Sequence, residues 1–179
     1  MIGADWFYIV FRIFHIGAGI AWVGSVYFFV VFVQPTSAAI GPAAAPFMTE
    51  LLGARRVVDR ILVLATVTIL AGLVLYLRDM DLAGGFGDWI GTARGVVFTI
   101  GGVAAILAVG VVIFGTRPGV ERLLAVGRQV GQATQQGGAP PPELATEVAV
   151  LQGKLRGYAR AGLGLLVVAV VAMATARYW

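Results

Sequence analysis

The chain has 179 residues, of which 59% are hydrophobic and 12% are charged, and this composition excludes an ordinary soluble domain and indicates an integral membrane protein. The net charge is +4, but the positive residues flank apolar segments, which is typical of membrane topology and argues against nucleic-acid binding. Cysteine is absent, which excludes disulfides, thiolate metal sites and covalent attachment of c-type haem.

Four apolar segments are long enough to cross a bilayer, since about 20 helical residues span the hydrocarbon core. The predicted spans cover residues of about 6–33, 58–78, 94–116 and 158–177. Continuous apolar runs favour helices over the alternating strands of a barrel. We therefore predict an all-α fold, a four-helix transmembrane bundle in which residues 1–179 form a single integral membrane domain.

The first span follows Asp5, which is the expected N-cap, and Trp6 and Tyr8 suit the membrane interface. The segment QPTSAAIGPAAAP contains three prolines and is expected to end this helix. A short helix over about 47–56 is then expected to merge into the second span.

A polar loop, RDMDLAGGFGDW, connects the second and third spans. Its acidic residues are Asp79, Asp81 and Asp88, and no calcium-loop spacing is present. We interpret this acidic cluster as part of a solvated loop.

The segment 118–157, between the third and fourth spans, shows two amphipathic patterns separated by GGAPPP, which indicates a turn. The apolar positions of the two patterns are Leu123, Val126 and Val130, then Leu144, Val148, Leu151 and Leu155. We predict a cytoplasmic helical hairpin that continues the two spans. The alternative is a pair of helices lying on the lipid headgroups.

Lysine and arginine are distributed unevenly between the two sides of the bundle. Nine lie in the first and third loops and three on the other side, with Arg12 inside the first span left out. The positive-inside rule places the richer loops in the cytoplasm. We therefore expect a multi-pass protein of the cell inner membrane with both termini outside the cytoplasm.

Glycines are frequent in the spans, and small residues let helix backbones approach closely in lipid. They include Gly17, Gly19, Gly24, Gly101, Gly102 and Gly110. Gly91 and Gly95 form a GxxxG spacing, and Gly153, Gly157 and Ala161 extend the series of small residues. Close helix packing is the favoured interpretation, and whether the contacts lie within one chain or between copies stays open.

The stretch FRIFHIGAGIAWVG holds the one histidine of the chain. On a helix, Arg12, His15, Gly19 and Trp22 share one face. A neutral imidazole is a good ligand for haem iron or copper, and ionisable groups within a span are usually functional. In this hypothesis Gly19 leaves room for a macrocycle, Arg12 pairs with a propionate and Trp22 lines the pocket.

The structural alternative is equally specific. His15 hydrogen-bonds to a carbonyl or hydroxyl on a neighbouring helix, Arg12 extends to the membrane interface, and Trp22 fills the bundle.

The segment HIGAGIAWVGSVYFFVVFVQP resembles the first helix of several bacterial membrane families. These are the copper-resistance D family, the protoporphyrinogen oxidase membrane family and the membrane domain of urate-oxidase-like cytochromes. The resemblance covers about 25 residues and aligns His15, Trp22 and Gly24 with the histidine, tryptophan and glycine of that pattern. In several of these families the histidine is linked to b-type haem, which the resemblance implies for His15.

The chain departs from those families because it has no histidine on a later helix. Ligation of one haem by two histidines of a single subunit is therefore impossible. A haem would be five-coordinate, would take Met173 or another weak ligand, or would be shared across a dimer or with another protein. Copper has only Met48, Met80 and Met173 as thioether candidates.

We accordingly predict a small redox-associated membrane protein that binds haem b through His15, with Arg12, Gly19 and Trp22 around it. The alternative is a non-catalytic membrane subunit or assembly partner without a cofactor, and copper handling is a weaker third hypothesis. The expected partners are the lipid bilayer and either further copies of this chain or another membrane complex.

Overall fold

A computed structural model describes residues 5–136 and 141–179 of the chain. Helices make up 94% of it, and the described residues contain no strand, which confirms the all-α prediction. Four helices are long and apolar enough to cross a membrane. They are α1, Trp6–Ala54; α2, Val57–Leu82; α3, Ala93–Gln135; and α4, Pro142–Tyr178. A short helix, Phe86–Ile90, lies between α2 and α3.

Helix α1 is interrupted at Gly41, whose φ of 68° and ψ of −140° are not helical, so the break predicted in the proline-rich segment is confirmed. It comprises α-helical Trp6–Phe28, π-helical Phe29–Val33, α-helical Gln34–Ile40, 3-10 helical Gly41–Ala44, α-helical Ala45–Thr49 and π-helical Glu50–Ala54. The short helix predicted over about 47–56 is present as Ala45–Thr49 and Glu50–Ala54, but a turn separates it from α2, so it does not merge into the second span. The chain turns at Arg56, whose φ of 48° is the one positive value at a described non-glycine residue.

Two π-helical turns explain how the long helices pass a proline. The backbone N–H of Gln34 bonds to the carbonyl of Phe29 just before Pro35, and the N–H of Arg117 bonds to the carbonyl of Val112 just before Pro118. These five-residue turns widen the helix locally. Each proline then occupies the first turn of the next helical segment, where its missing N–H costs little.

The bundle consists of two closely packed helix pairs. Helix α1 packs chiefly on α2, and α3 on α4. Trp22, Ala65, Ala108 and Leu166, one from each helix, form the buried cluster that joins the pairs. Each is at most 2% exposed, so the core of the spanning region lies where all four helices meet.

A second apolar cluster lies where α3 and α4 continue past the spanning region and the last part of α1, residues 45–54, packs against them. Its buried members are Leu52, Val120 and Leu155, one from each helix. A Cβ on Gly119 would lie 2.9 Å from Leu155, so the glycine lets α3 and α4 approach closely. We call this part, residues 45–54, 117–135 and 142–157, the helical extension.

The seven apolar positions predicted for the amphipathic patterns are all buried or half-buried in the helical extension. Residues 45–54 add a third helical segment to the extension. The sequence had predicted that this segment merges into the second span. The connecting turn at 137–140 lies outside the described residues, so the hairpin as a whole and its cytoplasmic side stay predictions.

The glycines divide into two groups. Gly19 and Gly101 face another helix at close range; a Cβ on Gly101 would lie 3.2 Å from the Cβ of Ala172. Gly91 and Gly95 belong to the same group, because a Cβ there would lie 3.2 Å from the carbonyl oxygen of Gly87 and 1.9 Å from that of Trp89, respectively, both in the short helix. A Cβ at the other six predicted packing glycines would meet nothing within 4 Å: Gly17, Gly24, Gly102, Gly110, Gly153 and Gly157. Within one chain, the close-packing prediction therefore holds for only the first group.

Candidate functional site

The imidazole of His15 lies at the interface between α1 and α2. Its Nδ1 is 2.8 Å from the carbonyl oxygen of Thr68. Because a carbonyl only accepts, this hydrogen bond requires the proton on Nδ1. In the neutral ring, Nε2 then carries the lone pair.

Two residues of α2, Gly72 and Thr68, accommodate this ring. A Cβ on Gly72 would lie 2.7 Å from both Cε1 and Nδ1 of His15, so only glycine leaves room for the ring there. Thr68, 7% exposed, donates its own hydroxyl to the carbonyl of Leu64 at 2.8 Å. The Thr68 hydroxyl is thereby hydrogen-bonded within α2. The backbone carbonyl of Thr68 accepts the hydrogen bond from His15.

Gly19 and Trp22 are used inside the fold. A Cβ on Gly19 would lie 3.4 Å from the Thr68 methyl group, so the side chain of Thr68 faces the space expected for a macrocycle. The Trp22 side chain belongs to the core cluster. Both residues therefore contribute to packing between helices.

Arg12 is exposed and lies one helical turn before His15. It lines a shallow, open depression on the surface of α1, here called the groove, together with Ile9, Ile13, Ile16 and Gly17. His15, Gly19 and Trp22 are not among the residues lining that groove. The structure thus brings His15 and Gly19 together on Thr68, while the residues that line the groove with Arg12 are other residues of α1.

A polar cluster connects α1, α2 and α3 at the end of the bundle that holds the N-terminus. The Tyr8 hydroxyl donates to Asp79 at 2.9 Å, and Arg94 lies 3.3 Å from the same carboxylate. Asp79 belongs to α2, and its side chain is 16% exposed. The solvated-loop interpretation is wrong for Asp79, because the helix runs on to Leu82 and two side chains cover the carboxylate.

Asp5 is the N-cap of α1, as predicted from the sequence. Its carboxylate accepts a hydrogen bond from the backbone N–H of Tyr8 at 3.2 Å and pairs with Arg78. The Tyr8 N–H, with help from the Arg78 guanidinium, lowers the pKa of the Asp5 carboxyl below 3.8.

The residues that contact His15 and Arg12 were not predicted from the sequence. Thr68 and Gly72 are four residues apart on α2, and this polar-to-small spacing is a weak signal for a close helix contact. Tyr8, whose ring lies 5.7 Å from the Arg12 guanidinium carbon, was assigned only to the membrane interface.

The described residues contain no group of three or more histidine, cysteine, aspartate or glutamate side chains placed to hold a metal ion. Fold and site together define a small helical protein compatible with an integral membrane location, in which a histidine ties two spanning helices. No family model matches the chain, and neither the curated proteins nor the solved structures give a match. The family resemblance therefore stays a prediction.

Proposed function

We propose that this chain is an accessory subunit of the membrane, an assembly partner within a larger complex or a self-associating one. The observation that supports this function is the helical extension. Helix α3 has 43 residues, about 65 Å at about 1.5 Å per residue, whereas the hydrocarbon core needs only about 30 Å.

The helical extension is held together by apolar contacts and by an ion pair. It has its own buried cluster, and an ion pair of 2.6 Å between Arg122 and Glu147 links α3 to α4. Apolar side chains remain on its outside, with Phe47 57% and Val150 50% exposed. An ordered helical platform with exposed apolar positions suits docking of another protein chain.

Photo-crosslinking in native membranes tests this function. A photoreactive residue replaces Val150 or Phe47, and Ile100, 51% exposed on the spanning part of α3, is the matched control. We expect a discrete protein adduct from the first two positions and only lipid adducts from Ile100. An adduct of twice 18.8 kDa identifies self-association, and another mass identifies a second protein. Absence of a discrete adduct from both extension positions contradicts the proposal.

Haem b binding through His15 is the second candidate, and one observation favours it. The hydrogen bond from Nδ1 to Thr68 leaves Nε2 as the nitrogen with a lone pair, and ligating histidines commonly donate their other N–H to a carbonyl in this way. A bound haem would supply one-electron redox chemistry.

The other three predicted residues do not form a cradle for the group. Thr68 faces Gly19, Trp22 is 2% exposed in the core, and Arg12 lines the groove with other residues of α1. The haem hypothesis thus rests on His15 alone. Copper handling has less support, because Met48 packs in the helical extension and Met173 lies against Gly101 between α3 and α4.

Two substitutions of His15 separate ligation from helix packing. An asparagine places its amide nitrogen close to the position of Nδ1, so His15→Asn keeps a donor for Thr68 and removes the ligand nitrogen. Haem binding predicts a Soret band on haem titration of the wild type that both His15→Asn and His15→Ala abolish. A Soret band that survives in either variant, or no spectral shift in the wild type, contradicts haem ligation by His15.

A further inference from the structure

The groove beside Arg12 lies on the outer surface of the first spanning helix. Its other residues are Ile9, Ile13, Ile16 and Gly17. The three isoleucines are 37%, 65% and 49% exposed, and a Cβ on Gly17 would meet nothing within 4 Å. In a bilayer this apolar surface faces acyl chains, and Arg12 is the one charged residue along it.

The charge of Arg12 is uncompensated within the described part of the chain. Two other arginines at this end of the bundle have carboxylate partners: Arg78 pairs with Asp5, and Arg94 with Asp79. No ion pair reaches Arg12 among residues 5–136 and 141–179. It lies six residues after Trp6, about 9 Å along the helix. A guanidinium at that depth requires an anionic partner or an extended path to water.

The neighbouring residues hold the Arg12 side chain towards the headgroup level. Its guanidinium carbon lies 5.7 Å from the ring centroid of Tyr8, one turn nearer the start of the helix. The Tyr8 ring is itself fixed, because its hydroxyl donates to Asp79 at 2.9 Å. Asp79 therefore positions Tyr8, and Tyr8 positions Arg12 through a cation–π contact.

We propose that this groove binds one anionic phospholipid of the bilayer, with its phosphate on Arg12 and an acyl chain along Ile9, Ile13 and Ile16. Guanidinium and phosphate form paired, charge-assisted hydrogen bonds. A zwitterionic lipid carries its own ammonium group, which competes for the phosphate. Charge complementarity consequently selects an anionic headgroup over a zwitterionic one.

Native mass spectrometry of the full chain, titrated with phosphatidylglycerol or phosphatidylcholine of identical acyl chains, tests the proposal. We expect the wild type to bind phosphatidylglycerol about tenfold more tightly, the scale of one charge-assisted hydrogen bond. Arg12→Gln should bring the ratio of the two affinities close to one. The matched control is Arg177→Gln, since Arg177 contacts Tyr178 at the same end and does not line the groove.

Three further variants make the test decisive. Gly17→Leu fills the groove and should weaken both lipids while keeping their ratio. Arg12→Lys, which keeps the charge and loses the paired geometry, should give an intermediate ratio and serves if Arg12→Gln fails to fold. His15→Asn should leave the ratio unchanged, because His15 lies at the α2 interface.

The proposal is overturned by an affinity ratio that survives in Arg12→Gln or, where that variant does not fold, is unchanged in Arg12→Lys. Displacement of phosphatidylglycerol by excess inorganic phosphate would also overturn it, because the apolar part of the groove would then contribute nothing. Loss of the lipid preference in His15→Asn would assign Arg12 to the histidine site and contradict a separate lipid site.

Discussion

Single residues decide how closely the first two helices approach. His15 reaches the Thr68 carbonyl only because Gly72 lacks a side chain at the point where the ring lies. The helix-face pattern predicted that His15 points away from lipid, but the identity of its partner depended on the register between α1 and α2. Local sequence does not encode that register, so the acceptor on Thr68 became known only from the fold.

Gly72→Ala should destabilise the bundle. The added Cβ would lie 2.7 Å from two ring atoms, so either the imidazole leaves Thr68 or the helices separate. We expect a loss of about 1–3 kcal/mol in the free energy of unfolding, the usual cost of overpacking. The measurement is an SDS titration followed by circular dichroism. In the control, Gly102→Ala, where a Cβ meets nothing within 4 Å, stability should be unchanged or slightly higher. Equal effects of the two substitutions on the free energy of unfolding would contradict a close contact between Gly72 and the His15 ring.

The stability that Asp5 gives to the start of α1 depends on pH. Its pKa is lowered in the folded chain from 3.8, so its carboxylate favours folding above that value. This contribution disappears as the pH falls through the lower folded pKa. Wild type should be more stable than Asp5→Asn at neutral pH, and the difference should close under strong acid. Thermal melts at a series of pH values check this. Asp81→Asn is the control, since Asp81 forms no ion pair in the described part, and an Asp81 difference with the same pH profile would contradict a specific role for Asp5.

At the scale of elements, a proline can lie within a long helix without ending it. The sequence shows Pro35 and Pro118, and composition alone predicts a break in the proline-rich segment that contains the first. Each is accommodated by a π-helical turn just before it, so the first helix continues past Pro35 to Ile40 and α3 passes into the helical extension without a loop. The break predicted in the proline-rich segment falls at Gly41, whose φ of 68° is a conformation that glycine adopts at little cost.

Leu155→Ala tests whether the helical extension has its own core. Leu155 is 9% exposed among residues of three helices. We expect a cost of about 2–5 kcal/mol, because truncation leaves a cavity beside Val120. Val150→Ala, at a position 50% exposed on the same helix, should change stability by less than about 0.5 kcal/mol. Limited proteolysis of the two variants locates the effect. Cleavage confined to the spanning helices in Leu155→Ala would contradict a separate extension core.

At the scale of the whole molecule, charge distribution predicts the orientation. The chain contains no cysteine, so a single introduced cysteine is the one thiol that can be labelled. A membrane-impermeant maleimide on intact cells should label Asp88→Cys and not Gln135→Cys, and permeabilisation should expose both. This follows from nine lysines and arginines flanking one side and three the other. The opposite labelling pattern would contradict the predicted orientation, and equal labelling in intact cells would contradict the assignment of these positions to opposite sides.

Composition and hydropathy by themselves determined the class of fold and the four apolar helices, because a bilayer leaves few ways to pair backbone groups. Periodicity also determined which faces of the later helices are buried, from Leu123 to Leu155. Tertiary structure decided which residues share a site. It placed His15 on Thr68 and Trp22 in the core, and it brought Asp79 to Tyr8. Those contacts depend on helix register and on where side chains are small, which are properties of packing between segments far apart in sequence.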